Sequence, residues 1–332
     1  MPSEEIQLVG ESPSFLRVLE EVSTVAELDK PVLLVGERGT GKELLALRLH
    51  FLSKRWDSMY LQVNCASLTE TLLETELFGH EAGSFTGATR RHLGRFERAN
   101  TGTLFLDELA TASMRVQEKI LRVIEYGEFE RVGGTGTIQT DVRIIAATNE
   151  DLPTLAQKGK FREDLLDRLA FDVITLPPLR SRKADILLLA EHFAVNMANE
   201  IGRDVFPGFT EEARELLLAY DWPGNVRQLK NVVERAVYRN NPDDPVGEIV
   251  TDPFESPYRI GNESGETSSR QVAPSYELPL DLKQTVRDIE IQVIQSALVK
   301  AKHNQRKVAE MLGLTYHQLR NYLRKYSLLS DS

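Results

Sequence analysis

The 332-residue chain is predicted to fold as an α/β domain built on a parallel sheet, followed by a helical subdomain and an all-α helix-turn-helix module at the C-terminal end. Three observations carry that expectation. Over the first half, short runs that are apolar throughout alternate with helical stretches, the pattern of strands buried on both faces. After about Leu179 the strands stop and helical patterns follow one another. From about Asp252 a segment rich in Ser, Glu, Pro and Gly precedes a basic helical end.

The elements follow in order. SFLRVLEEVSTVAEL, from Ser14, has helical apolar spacing at Phe15, Leu16, Leu19 and Val22. PVLLVG (Pro31 to Gly36) is a short apolar run ending in glycine and reads as a buried strand; KELLALRLHFLSKRW continues as a helix. MYLQVNC (Met59 to Cys65), GTLFLDE (Gly102 to Glu108), VRIIAATN (Val142 to Asn149) and FDVITLPPL (Phe171 to Leu179) supply four further strands. Helical stretches such as MRVQEKILRVIEYG lie between most of them. ADILLLAEHFAVNMANEI, EEARELLLAY and VRQLKNVVERAVYR then form the helical subdomain. The expected divisions are 1–178, 179–251, a linker over 252–280, and 281–332. The linker has too few large apolar residues to offset the entropy of ordering it.

With 41% hydrophobic and 27% charged residues, the chain has the composition of a soluble globular protein. A net charge of -10 argues against a chain that coats nucleic acid along its whole length. Cys65 is the single cysteine, so an internal disulfide or a cysteine-cluster zinc site is excluded, and a reducing cytoplasm is the expected compartment. The acidic start MPSEEIQLVGESPS has no apolar core and does not read as a secretory signal; no run approaches the ~20 apolar residues that span a bilayer, so no membrane insertion is expected.

GERGTGKE fits G-x-x-x-x-G-K between an apolar strand and a helix. Glycines let backbone N–H groups curl around phosphates, the helix N-terminus adds positive potential, and Lys42 reaches the β- and γ-phosphates. The nucleotide-binding candidates are Gly36, Glu37, Arg38, Gly39, Thr40, Gly41, Lys42 and Glu43. Glu43 stands where a hydroxyl ligand for magnesium is usual. TLFLDE ends in adjacent acids at the rim where open α/β sheets bind ligands. Asp107 is expected to hold Mg2+ and Glu108 to polarise the attacking water of an ATP hydrolysis. Asn64 ends the second strand within expected reach of Glu108, and Asn149 ends the fourth where it would sense the γ-phosphate; either is equally a strand-end turn residue. Arg162 and Arg168 in FREDLLDRLAF are surface ion-pair formers or reach a neighbouring subunit's γ-phosphate. Arg227 in WPGNVRQL lies on a helix of the second subdomain, from which it would close over the nucleotide.

Two features remain. HEAGSFTGATRRHLGRFERANT has no clean period, and Phe85 in it is either a buried plug or an exposed contact held between glycines. A structureless run from Gly79 to Thr101 would be functional or disordered. At the other end, residues 283–326 carry a local surplus of six positive charges. NQRKVAEMLGLTYHQLRNYLRKY reads as helix, turn, helix, with Ala309, Met311 and Leu312 inward, Gly313 turning the chain and Thr315 capping the second helix. Thr315, Tyr316, His317, Gln318, Arg320, Asn321 and Arg324 are the candidate contacts to double-stranded DNA in the major groove. The preceding helix has Val286, Ile289, Val293, Ile294 and Leu298 at helical spacing, a candidate dimer seam.

GERGTGKE, ELFGHEAGSFTGA, GTLFLDE, AATN, FREDLLDRL and WPGNVRQL together, from about Val9 to Tyr238, resemble the AAA+ bacterial enhancer-binding proteins, ATPases that activate sigma-54 RNA polymerase. The resemblance accepts Glu43 and implies a Fis-type module binding enhancer DNA, and a ring, expected to be a hexamer, with ATP hydrolysed between subunits. It makes Gly83, Ser84, Phe85, Thr86, Gly87 and Ala88 the contact to sigma-54, with Ser84 where the family has Ala. Only about eight residues precede the ATPase, where many family members carry a sensor domain. The expectation is therefore control by a separate protein, and the resemblance implies a negative regulator of the phage shock protein A type. Trp56 is the candidate contact to it, or packs locally against the sheet. The competing readings are a remodelling chaperone with incidental DNA contact and a repressor with a vestigial nucleotide site. GSFTGA favours the activator over the first, and the intact Asp107–Glu108 pair disfavours the second.

Overall fold

The computed structural model describes residues 8–85, 88–254, 282–301 and 304–326. Its first unit runs to Pro253 and its second from Phe254. The first opens with α1 (Pro13–Ala26), capped by Ser12 and started by a proline at its first turn, where the missing N–H costs nothing. Then come β1 (Val32–Val35), α2 (Lys42–Phe51), β2 (Tyr60–Asn64), α3 (Glu70–Phe78), the single-turn α4 (Arg95–Arg98) and β3 (Thr103–Asp107). α5 (Met114–Tyr126) leads into β4 (Glu128–Glu130) and β5 (Thr137–Gln139), followed by β6 (Arg143–Thr148), α6 (Leu152–Gln157), α7 (Glu163–Leu169) and β7 (Val173–Thr175).

The main sheet is five-stranded and parallel, in the order β2-β3-β6-β1-β7. Its strands bury both faces. Leu33, Leu104, Leu106, Ile144 and Ala146 join the core against α3, α5 and α7, while Val32, Leu34, Phe105, Ile145 and Ala147 alternate with them into the core against α1 and α2. Each fully buried Leu, Ile or Phe contributes roughly 2 kcal/mol, so burial on both faces of these strands is a large part of what holds the sheet together. Arg143 is buried at the foot of β6 and caps α1 by donating to the carbonyls of Ala26 (2.8 Å) and Val25 (3.1 Å). The fifth strand is shorter than its apolar run suggests, because Pro177 and Pro178 follow it and cannot donate to a ladder.

The second subdomain packs α8 (Lys183–Glu200), α9 (Glu211–Ala219) and α10 (Asn225–Arg239) around the fully buried Trp222, whose indole N–H donates to the Leu217 carbonyl at 2.8 Å.

Antiparallel β4–β5 is a small separate hairpin anchored by buried Phe129. It reorganises the run from Gly79 to Thr101, which is not structureless. His80 bridges His92 on one side and Val132 on the other, and α4 closes the return.

The second unit consists of α11 (Leu282–Lys300), α12 (Gln305–Met311) and α13 (Tyr316–Lys325) around Val308, Leu319 and Leu323. Gly313 turns the chain at φ +64°, where a side chain would be strained, and Thr315 makes a capping box with Gln318. Two expectations here are corrected. Met311 is 49% exposed while Leu314 packs on the core in its place, because the turn after Leu312 changes the helical phase. Ile294 and Leu298 are consumed by this unit's own core, so of the described seam residues only Val293 faces outward. The side chains of Val286 and Ile289, and most of the expected linker, lie outside the described residues. Among the described residues no helix is long and apolar enough to cross a membrane.

Candidate functional site

The candidate nucleotide residues gather at the C-terminal edge of the sheet in the order the strands dictate. Asn64 ends β2, Asp107 pairs with it across the ladder at the end of β3, Thr148–Asn149 end β6, and Gly36 leaves β1. The Gly36 N–H donates to the Thr148 carbonyl at 3.2 Å, so the start of the glycine loop and Asn149 are neighbours. Asn149 is exposed there.

The loop from Gly36 to Gly41 is held by its own atoms. Buried Thr40 donates its hydroxyl to the Glu37 carbonyl at 2.8 Å, and Gly39 and Gly41 sit at φ +76° and +101°, a region side chains rarely adopt. Lys42, the first residue of α2, donates its ammonium to the carbonyls of Gly36 (2.8 Å) and Glu37 (3.1 Å). Burial pushes its pKa below the ordinary lysine value, and the charges of Asp107 and Glu108 oppose that shift. Glu43 lies exposed in the first turn of α2.

Asn64 differs from its expected role in one respect. Its amide donates to Asp107 Oδ2 at 3.4 Å, not to Glu108, while its oxygen accepts the Ala66 N–H at 2.9 Å. Strand pairing explains this, because Asn64 and Asp107 are cross-strand partners. Glu108 takes a left-handed conformation (φ +51°) one residue past the strand, its N–H donating to Asp107 Oδ1 at 2.9 Å. That turns its carboxylate toward Arg38, whose Nε lies 3.8 Å away.

The second subdomain meets the glycine loop through contacts that sequence reasoning missed, apart from Arg227. The Arg227 N–H donates to the Gly39 carbonyl at 3.3 Å, and a Cβ on Gly39 would lie 2.4 Å from the Gly224 carbonyl oxygen. Buried Asn225, at φ +50°, donates to Glu37 Oε2 (3.1 Å) and the Arg38 carbonyl (3.0 Å) and accepts the Leu179 N–H (2.8 Å). Arg180 grips the same Glu37 carboxylate with both nitrogens, at 2.8 and 2.6 Å. The Arg180 and Asn225 bonds hold the Glu37 pKa at about 2. The one signal for Asn225 was its type, since asparagine tolerates a left-handed backbone.

The result is an open crevice of about 550 Å³ in which Arg38, Lys42, Asp107, Glu108 and Arg227 face one another. It continues, through Gly41, Leu44, Phe193 and Val226, into a smaller apolar pocket of about 80 Å³ walled by Leu8, Val9 and Phe15. A polar cleft with opposed cations and acids, joined to a flat apolar pocket, matches a nucleoside triphosphate. Asp107 and Glu108 offer hard carboxylate oxygens, the donor type magnesium takes alongside phosphate oxygens.

Arg162 and Arg168 do not line this crevice. Arg162 precedes α7 and pairs with Asp164 at 2.7 Å; Arg168 is exposed at its other end and pairs with Glu125 at 2.6 Å. Within one chain they are surface ion pairs.

The GSFTGA run projects from a double-sided stem. The His80 N–H donates to the His92 carbonyl (3.1 Å), and the His80 carbonyl accepts the His92 N–H in return (2.9 Å); the Val132 N–H donates to the Gly79 carbonyl and the Glu81 N–H to the Val132 carbonyl. Arg131 ties the stem to α4 through Glu81 and Glu97, each at 2.7 Å. Phe85 is 43% exposed, with one edge against His80 at 4.9 Å between centroids. Gly83 donates to the Ala88 carbonyl at 2.7 Å, and Ala88 is buried. The Ser84 hydroxyl is buried without a partner beside Gly133. Thr86 and Gly87 lie outside the described residues.

Trp56 is 61% exposed, in a turn whose neighbours Phe51, Leu52 and Met59 are exposed as well. It does not pack on the sheet. The turn is held by Arg55, which donates to the carbonyls of Gly102 (3.2 Å) and Asp141 (3.0 Å).

In the second unit, Thr315, which caps α13, and Tyr316, His317, Gln318, Arg320, Asn321 and Arg324 on it are all exposed, while Leu319 and Leu323 of the same helix are buried.

Comparison with known proteins agrees with this geometry. Residues 8–175 match the sigma-54 interaction domain, residues 180–264 the AAA+ ATPase lid domain, and residues 285–326 the Fis family of bacterial regulatory proteins. The chain is 58% identical to the Psp operon transcriptional activator of Escherichia coli K12, over 97% of this chain and 98% of that one. It is 41% identical to the regulatory protein AtoC of the same organism, over 97% of this chain and 68% of AtoC. Crystal structures of NtrX from Brucella abortus superpose at 32% identity: the complex with ADP with a TM-score of 0.69 over 97% of this chain and 69% of that one, the complex with ATP with 0.68 over 96% and 69%.

Proposed function

This chain belongs to the sigma-54 activator family, and from that premise we propose how its parts divide the work. It is an AAA+ ATPase joined to a Fis-type DNA-binding module, and it activates transcription by the sigma-54 RNA polymerase. In our reading the triphosphate lies along Gly36–Glu43 with Lys42 on its β- and γ-phosphates, and the base enters the apolar pocket beside Val9 and Phe193. Asp107, held by Asn64, binds the magnesium ion, whose role is to neutralise phosphate charge; Glu108 orients the attacking water. Asn149 and Arg227 approach the γ-phosphate from β6 and from the lid.

Arg162 and Arg168 act on a neighbouring subunit's nucleotide, which makes the working form a ring, in our reading a hexamer. Both lie at the ends of α7 outside their own crevice, Arg168 exposed and Arg162 half-buried, which supports this. Arg168→Ala is expected to lose hydrolysis in trans. Mixing it with Lys42→Ala subunits, each inactive alone, should restore part of the ATPase; no recovery at any ratio would count against shared sites.

Hydrolysis drives the Gly83–Ala88 loops against sigma-54, while Gln318, Arg320, Asn321 and Arg324 read and hold enhancer DNA. The apolar turn around Trp56 receives a negative regulator of the phage shock protein A type, and the protein works in the cytoplasm, where bacterial promoters are. The observation that carries the whole reading is the GSFTGA loop on an ATPase core, its stem tied by Arg131 to α4, which leads directly into the strand bearing Asp107.

The test is isomerisation of a sigma-54–promoter closed complex. The full chain with ATP should open the promoter. A chain cut before Leu280 should keep a concentration-dependent ATPase and lose its footprint on upstream DNA. Failure of the full chain to open the complex would overturn the assignment, and an unchanged footprint after truncation would overturn the role of the terminal module.

A further inference from the structure

The lid and the N-terminal end of the described chain are sewn together by one carboxylate. Asp185, in the first turn of α8, is fully buried. Its Oδ1 accepts the backbone N–H groups of Glu11 (2.6 Å) and Ser12 (2.8 Å); its Oδ2 accepts the Ser12 hydroxyl (2.7 Å) and Arg182 Nε (2.8 Å). Four donors occupy the four acceptor sites of an ionised carboxylate. Burial alone pushes the Asp185 pKa up, but the bonds from the Ser12 hydroxyl, the Glu11 N–H and Arg182 outweigh it and hold the carboxyl below its ordinary value.

The segment so held, Leu8 to Ser12, has no helix or strand of its own. It is nevertheless packed closely: a Cβ on Gly10 would lie 2.5 Å from the Phe15 ring and 2.7 Å from the Arg182 guanidinium. That guanidinium in turn lies 3.7 Å above the Phe15 ring. Leu8, Val9, Phe15 and Arg182 form one wall of the apolar pocket beside the glycine loop. The wall is therefore shared between the strap and the lid, and Asp185 is the joint. A buried ion pair adds little stability over an apolar pair of the same volume, so stability alone does not account for one here.

We propose that Asp185 is a positioning residue for the nucleotide: by strapping residues 8–12 to the lid it builds the wall against which the base packs, and so sets affinity for the base without touching the phosphates. This rests on reading the crevice as the ATP site. The consequence is a split between two ligands. ATP uses the pocket and the glycine loop; inorganic tripolyphosphate uses only the loop.

The test is calorimetric titration of the full chain with ATP and with tripolyphosphate, alongside steady-state ATPase. Asp185→Asn leaves Arg182 without its charged partner. It is expected to weaken ATP about tenfold, in Kd and in KM, with kcat within about twofold and tripolyphosphate affinity within about twofold of the parent. Ser12→Ala removes one of the four donors and should weaken ATP by about threefold with the same selectivity, which keeps the test decisive if Asp185→Asn does not fold. Unchanged ATP affinity in the variants that fold, or equal loss of ATP and tripolyphosphate, would overturn the proposal. Lys42→Ala separates it from the reading on which it rests. If that variant still binds both ligands as the parent does, the nucleotide site itself is misassigned. If it loses both while Asp185→Asn keeps ATP, only the strap is.

Discussion

Lys42→Ala is expected to lower ATP turnover by at least about 100-fold and to abolish promoter opening with it. The ammonium is the one lysine charge at the start of α2, and it is mostly buried against the Gly36 and Glu37 carbonyls. Its depressed pKa reflects burial, yet Asp107 and Glu108 keep a counter-charge beside it, so it is held ready to exchange carbonyl partners for phosphate oxygens. Alanine removes that charge while leaving Gly36–Gly41 and their left-handed glycines unaltered, so the fold should survive. Phosphate release and thermal unfolding, measured together, check both halves. Turnover within about tenfold of the parent would mean that the crevice does not do the chemistry.

The second large effect is expected at the loop, and it should leave the chemistry alone. Phe85→Ala is expected to keep ATPase within about twofold and to reduce open-complex formation by about 30-fold or more, the scale of an aromatic hot spot. Phe85 has an edge on His80 and the rest of its ring exposed, and it makes no contact with the nucleotide crevice. Thr86→Ala should behave the same way, because the loop transmits force and does no hydrolysis. The check is to assay both activities on one preparation. Normal promoter opening by both variants would detach GSFTGA from sigma-54, and a parallel fall in ATPase would make the loop part of the catalytic apparatus.

What could be read from residues alone was whatever a local pattern records. The parallel strands were legible because runs such as LFLD and RIIAAT are apolar at every position, and both faces of the sheet are indeed covered. The glycine loop, the acids at the end of β3 and the capped α13 were legible because each is a short contiguous signature. The hairpin was not: EFE and TIQ are too short and too polar to announce strands, and what secures them is Phe129 and Ile138 packing on a core assembled from distant segments. Nor was the apolar pocket, whose walls come from Val9 and Phe193, far apart in the chain. Asn225 and Arg180 were invisible for the same reason, since their partner Glu37 is more than a hundred residues away. Asn64 was assigned the wrong acid because strand register, which motif spacing does not encode, decides which neighbour it meets. The inward face expected of Met311 failed on the geometry of a single turn.

Gly79 and Gly94 approach so closely that a Cβ on either would meet the other's backbone at 2.7 and 2.4 Å, and Gly133 sits equally close to Ser84. The base of the loop is therefore closed backbone on backbone, with no side chain between to compress. Alanine at Gly94 would push the backbones of Leu77, Phe78 and Gly79 away, so even the smallest side chain there should loosen the loop's attachment to the core.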